Sequence, residues 1–337
     1  MSAATTAVER QSALREARLW LRDRPLIPLL VLLAVLIATL HMVRPGIINE
    51  GWVASWIRFA IPLAILAACQ TLAMLTGGID LSVGAVASMA AYVMATQAPI
   101  HGPWIAIAVA LGAAALVGLV NGIGIGVFRV HPLIMTLAMI LVVSGLATVY
   151  FITMVATGVR VPAEMLWLGQ QNAFGFLPHS LLLFVPLAVI ILLILRRTGF
   201  GRLLYAIGDN EMAARLSGVR VWQVLITLYV LSAVLAAVAG LLFAGALNTA
   251  STQLVNNYLL PSVAAAVIGG TSIFGGRGGY GGSIVGALIL GVLTTLLTVA
   301  MPMLGFVGVA QEAVRQIIYG AIILAVAAAY TRITESG

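Results

Sequence analysis

The sequence contains no lysine: all 17 of its basic residues are arginine. A nucleotide-cradling loop ends in Gly-Lys-Ser/Thr, because the lysine ammonium must reach the phosphates. That loop cannot exist here, so any ATP that drives this chain is bound by another polypeptide. Charge of either sign is scarce. Charged residues make up 8% of the 337 and hydrophobic residues 62%, whereas soluble domains carry roughly 25% charged residues. Too little polar surface remains to coat a water-soluble globule. There is one cysteine, Cys69, inside an apolar run, so an intrachain disulfide is excluded. The four histidines (His41, His101, His131, His179) are scattered near the expected ends of spans, and no Cys/His spacing suggests a metal site. The short alternating segments of a membrane β-barrel are also missing.

What remains is a series of apolar runs near the ~20 residues that cross a bilayer as a helix. The expected fold is all-α: a polytopic integral membrane bundle of about ten transmembrane helices. Hydropathy places the spans at 25–43, 58–76, 80–97, 104–127, 132–153, 179–195, 223–247, 258–275, 282–301 and 312–331. Segments 80–97 and 258–275 are short and interrupted by Gly or Pro, so re-entry is open for both. With the N-terminus inside, Arg10, Arg15, Arg18, Arg22, Arg24, Arg129, Arg196, Arg197, Arg202, Arg215, Arg220, Arg277 and Arg332 fall on the inner side. Arg44, Arg58, Arg160 and Arg315 fall outside. Thirteen against four fits the positive-inside bias with both termini cytoplasmic, and it accounts for the net charge of +7 without nucleic acid. Residues 1–24 form an Arg-rich N-terminal segment, where Leu14, Ala17 and Leu21 predict an amphipathic helix over 7–22. The membrane-spanning body runs from 25 to 332. No cleavage site follows the first apolar run, which reads as an uncleaved helix.

Small residues recur at packing intervals. Gly118, Gly122 and Gly126 leave one face of the fourth span bare, and Gly282 and Gly286 repeat the pattern. Close helix approach is the direct reading. Ionisable groups in the spans are few: Asp80, Glu312 and Arg315. Ion-coupled carriers hold such groups along their path. Glu312 and Arg315 are three apart and can pair on one helical face.

The largest inner element is the loop 196–222. Within it, Asp209 or Asn210 can cap a helix N-terminus, and Glu211 favours its first turn. Glu211 and Arg215 are spaced i, i+4, Met212 and Leu216 form an apolar edge, and Gly218 can supply a left-handed C-terminal residue. Ala213 and Ala214 are small enough for the helix to sit deep in a partner's cleft. Insertion into such a cleft and an ordinary interfacial helix on lipid are both compatible with these signals.

Three segments in order carry a resemblance: Leu75 to Gly84 (LTGGIDLSVG), Ala206 to Val219 (AIGDNEMAARLSGV), and Ala266 to Gly279 (AVIGGTSIFGGRGG) followed by Gly286 to Leu293 (GALILGVL). Each is weak alone. Together, over about residues 58–331, the chain resembles the ribose/xylose/galactose-type permeases of bacterial ABC importers. The resemblance implies a multi-pass protein of the bacterial inner membrane. Its implied partners are cytoplasmic ATPase subunits, a periplasmic substrate-binding protein and a second permease copy or paralogue, with a small sugar or polyol as solute and no cofactor. It further implies that Gly208, Asp209, Asn210, Glu211, Met212, Ala213, Ala214, Arg215, Leu216 and Gly218 form the coupling element that engages the ATPase. The stretch Gly77, Gly78, Asp80 and Ser82 matches the family's Gly-Gly-Ile-Asp-Leu-Ser segment. There Asp80 either caps the third helix or helps line the path or gate. A stand-alone secondary carrier or facilitator for the same solutes is the competing reading. An intramembrane enzyme would need clustered catalytic groups within the spans, and none is visible.

Overall fold

The computed structural model describes residues 26–154, 158–303, 305 and 313–321. The expected helix over 7–22, most of the span 312–331, and Glu312 of the expected ion pair lie outside the described residues.

Helices α1 (Leu26–Val43), α2 (Glu50–Leu75), α3 (Val83–His101), α4 (Pro103–Gly126) and α5 (Pro132–Met154) come first. A short helix α6 (Ala163–Gln170) and a two-stranded hairpin, β1 (Asn172–Ala173) with β2 (Leu177–Pro178), follow at one end of the bundle. Next are α7 (Ser180–Arg197), the paired short helices α8 (Gly199–Asp209) and α9 (Glu211–Leu216), and α10 (Val221–Leu247). A single 3-10 turn, Asn256–Tyr258, leads into α11 (Leu259–Ile268), and α12 (Tyr280–Met303) completes the named helices. Residues 313–321 are also helical. Among the described residues, eight helices are long and apolar enough to cross a membrane. The chain is a polytopic helical membrane protein.

Local chemistry explains several boundaries. Helix α2 begins eight residues before the expected 58, because the Asn49 side chain accepts a hydrogen bond from the Trp52 amide at 2.9 Å and Glu50 occupies the first turn. Both features stabilise a helix N-terminus. Helix α4 starts on Pro103, where a missing N–H costs nothing.

Helices α2, α3 and α10 are the buried centre, whereas α1, α4, α5 and α7 present most of their apolar surface outward. The small-residue face of α4 packs on α10, as its spacing implied. A Cβ at Gly122 would lie 2.6 Å from Ile226 Cα, and Gly118 and Gly126 abut the backbone of Tyr229 and Trp222. Gly282 and Gly286 likewise abut the backbone of Gly269, the C-cap of α11, and of Ala265 within it. Such approach maximises dispersion contacts where no hydrophobic force drives helices together. Gly122→Leu is therefore expected to exceed the ~1–3 kcal/mol of ordinary overpacking, since backbone cannot rotate aside. Folded yield and thermal stability in detergent should fall. Gly112, on the same helix with nothing within 4 Å of its Cβ position, should accept leucine without loss. Equal behaviour of the two variants would refute this packing.

Of the two segments for which re-entry is open, 258–275 is not one spanning helix. Its helix is only α11, ten residues or about 15 Å long, too short to cross. Asn248 turns the chain with φ 51° at the end of α10. The chain then dips between helices, where the Val255 amide donates to Ser88 Oγ at 2.9 Å. After α11 the backbone reaches the opposite end through Gly270, Gly275, Gly276 and Gly278, all at positive φ. Only glycine adopts such angles without strain. Irregular backbone at bilayer depth is tolerated where protein surrounds it or where it lines a cavity. The segment 80–97 is instead a full helix over Val83–His101.

Arginines separate by end. Arg129, Arg196, Arg197, Arg202, Arg215, Arg220 and Arg277 are exposed or half-buried around α8 and α9. Arg58, Arg160 and Arg315 hold groups at the opposite end: the Arg58 guanidinium donates to the Gln170 carbonyl and Asn172, the Arg160 amide to the Ala95 carbonyl, and the Arg315 guanidinium to Thr298.

Candidate functional site

At the arginine-rich end, α7 hands the chain to α8 through Thr198, whose hydroxyl accepts from the Gly201 amide at 3.2 Å. Helix α9 has its own start and stop. Asn210, not Asp209, is the N-cap: its side chain accepts from the Ala213 amide at 2.9 Å. Asp209 instead ends α8. Glu211 and Arg215 form the i, i+4 ion pair, with Arg215 Nε 2.9 Å from Glu211 Oε1. Gly218 has φ +84°; its amide donates to the Arg215 carbonyl and the Val219 amide to that of Ala214. This pairing closes the helix in a Schellman motif. Met212 and Leu216 are 66% and 82% exposed, an apolar edge on a helix rimmed by Arg129, Arg215 and Arg220. One of the two alanines departs from expectation. Ala213 is exposed, but Ala214 is buried against the bundle and cannot face a partner.

Gly208 sits at a three-way junction. A Cβ there would collide with the Leu75 carbonyl at the end of α2 and with the Gly276 amide. The Gly276 amide itself donates to the Leu75 carbonyl at 3.1 Å. Tyr205 of α8 donates its hydroxyl to the Gly278 carbonyl at 2.9 Å, and burial holds that phenol above its ordinary pKa, so it remains a donor. The α8–α9 pair thus rests on the Gly77 turn and on the glycine run that follows α11. All three motifs singled out in the sequence meet at this place. Gly77, with φ +78°, lies on the wall of a cavity of about 690 Å³ that also touches Arg129, His131, Met212 and Arg215.

Gly78, Asp80 and Ser82 are buried, the last two at 1% exposure. Asp80 does not act on the first turn of α3. Its Oδ1 accepts from the Ser82 amide at 3.0 Å and the Ser82 hydroxyl at 2.6 Å, and its Oδ2 accepts from the Ser232 hydroxyl at 2.8 Å. Gln70 Nε2 donates to the Asp80 carbonyl at 2.8 Å, and Asn121 Nδ2 donates to Ser82 Oγ at 3.0 Å. The network ties the non-helical stretch before α3 to α2, α4 and α10 at once.

A family model described as the branched-chain amino acid transport system / permease component matches residues 52–327. The chain belongs to this permease family. It is similar to the ribose import permease of Escherichia coli K12, 35% identical over 78% of this chain and 83% of that protein. It is similar also to the fructose import permease of Rhizobium meliloti, 34% identical over 80% of this chain and 76% of the relative. The galactofuranose transporter permease of Escherichia coli K12 is 36% identical over 72% and 71%. No solved structure matches. The resemblance carried by the three motifs is borne out, and as a permease component the chain is a transport subunit, not an enzyme.

Within this permease, sequence reasoning missed the partners of Asp80. Gln70, Asn121 and Ser232 are polar residues inside apolar membrane helices, and that isolation was a usable signal, since intramembrane polar groups must find partners.

Proposed function

We propose that this permease is the membrane-spanning subunit of an ATP-driven, binding-protein-dependent importer of a monosaccharide in the bacterial inner membrane. Three relatives named for ribose, fructose and galactofuranose support the solute class. The observation that carries the coupling is α9: a self-capped helix that offers Met212 and Leu216 to solvent inside an arginine rim. An exposed apolar edge of this kind suits an apolar cleft with an acidic border on a cytoplasmic ATPase. Gly208 lets α8 rest directly on the α2 end and the glycine run, so a push on α9 reaches the end of α2 and the link that leads into α12 through backbone contact. The periplasmic binding protein would deliver the solute at the opposite end, where the hairpin and Arg58 lie.

The test is reconstitution in liposomes with a candidate ATPase and binding protein from the same genome. Uptake of labelled ribose, fructose, galactose and leucine is measured with and without ATP. Sugar uptake that requires ATP and the binding protein is expected. Uptake by the permease alone, indifferent to ATP, would establish the carrier reading instead, and leucine uptake would overturn the solute class.

A further inference from the structure

We infer that the cleft between the first half of α2, the Asn256–Tyr258 turn and the second half of α12 is a solute subsite within the membrane, where a sugar ring passes over a tryptophan face. The inference rests on the sugar-importer reading above and goes beyond it by assigning residues to the path. The cleft lies at the end that holds Arg58 and Arg315, away from α8 and α9, and has a volume of about 390 Å³, within the roughly 300–1,000 Å³ of small-molecule sites.

Its walls join aromatic rings to hydroxyl and amide groups, which suits a hydroxylated ring, and the Arg315 guanidinium, which donates to Thr298, also borders the cleft. Trp52, Trp56 and Phe59 recur at helical spacing on one face of α2, and all three line the cleft. The two indoles are stacked at 5.3 Å with planes 14° apart. Their N–H groups are already engaged: Trp52 Nε1 donates to Thr295 Oγ1 at 3.4 Å and Trp56 Nε1 to the Leu288 carbonyl at 3.0 Å. The rings are therefore fixed, and what they offer the cleft is π surface. A sugar ring has one face of C–H bonds that suits such a surface and a rim of hydroxyls that does not. Ser55 and Asn257, both exposed within the cleft, supply hydroxyl and amide groups for that rim.

A second observation is independent of composition. The non-helical link 248–255 between α10 and α11 is flanked by Leu247 and by the 3-10 turn of Asn257 and Tyr258, and all three residues border this cleft. Discontinuous helices mark solute sites in membrane transporters because unwound backbone is tolerated beside a cavity.

The test uses Ser55→Cys in the assembled importer, reconstituted with its ATPase and binding protein. Cys69, the one native cysteine of this chain, is wholly buried, so within this chain a small charged methanethiosulfonate reagent reads position 55, and wild-type vesicles treated alike report on the other subunits. Uptake of the sugar carried by the wild type is measured in the same vesicles before modification, after it, and after reduction by a thiol. A drop of at least about tenfold, reversed on reduction, is expected, and the same protein before and after excludes misfolding as the cause. Phe59→Ala, in vesicles with unchanged ATPase association, should lower the maximal uptake rate at least about fivefold. Uptake unaffected by modification and by Phe59→Ala would overturn the inference. So would an introduced thiol at position 55 that no reagent reaches but that cross-links to a second copy, because the cleft would then be filled by protein. Wild-type vesicles that import no sugar would instead bring down the importer reading itself, with this subsite.

Discussion

Ala213→Trp is expected to insert and fold like the wild type, yet to lose ATPase association and uptake together. Ala213 is exposed on α9, one residue from Met212 and three from Leu216. An indole at this site meets solvent in the isolated permease, so the bundle has no reason to rearrange. In the assembled importer, if α9 docks in the ATPase as proposed, it would stand between α9 and the receiving cleft. Loss of one well-packed interface anchor costs about 2 kcal/mol or more, roughly thirtyfold in affinity, and a buried clash costs at least that. Ala214→Trp is a poor substitute, because Ala214 is 6% exposed and a large side chain there would push α9 off the bundle. Co-purification of the ATPase with each variant, together with thermal melts of the permease alone, separates the two cases. Ala213→Trp that melts as wild type and still co-purifies the ATPase at full yield would remove α9 from the docking surface.

Apolar runs in the sequence located the long helices within a few residues, because lipid forces every spanning backbone group to be paired internally. The early start of α2 was missed because Glu50, Gly51 and Arg58 dilute hydropathy there, although Asn49 followed by Glu50 was a capping signal in plain view. The sequence left 258–275 open between a span and a re-entrant segment for a physical reason. Residues 259–268 are as apolar as a spanning helix, since they are buried in protein instead of lipid, and hydropathy does not distinguish the two. The glycines of 269–279 carried the signal, since Gly270, Gly275, Gly276 and Gly278 take positive φ angles. Helix α9 was legible in nearly every residue because capping is local chemistry. The direction of Ala214 was not, since alanine is equally at home buried or exposed. Nor did the sequence join Asp80 to Ser232, 152 residues away: that pairing exists only once α10 packs against α2 and α3.

Asp80 gives the sharpest test of what the buried network is for. Replacing it with alanine removes the acceptor of three hydrogen bonds, leaving the Ser82 amide, the Ser82 hydroxyl and the Ser232 hydroxyl facing a small void. Each orphaned buried group costs about 1–3 kcal/mol, so a loss of several kcal/mol is expected even if the serine hydroxyls partly turn elsewhere. Folded yield should fall sharply and the melting temperature of any recovered protein should drop. Asp80→Asn is a different experiment. The amide oxygen can still accept from Ser82, and the amide nitrogen can donate to Ser232 Oγ, because a serine hydroxyl accepts as well as donates. The shape and all three contacts persist while the carboxyl is lost. If Asp80 acts only as a clamp on the stretch before α3, the Asn variant should melt within a few degrees of wild type and import at a comparable rate, and Asp80→Ala alone should fail. If the carboxyl itself serves the path or gate, Asp80→Asn should fold normally and lose uptake. Its 1% exposure and three closely placed donors favour the clamp. A folded, transport-dead Asp80→Asn would reverse that assignment and return the residue to the path, whereas an Asp80→Ala variant as stable as wild type would show that the network holds nothing in place.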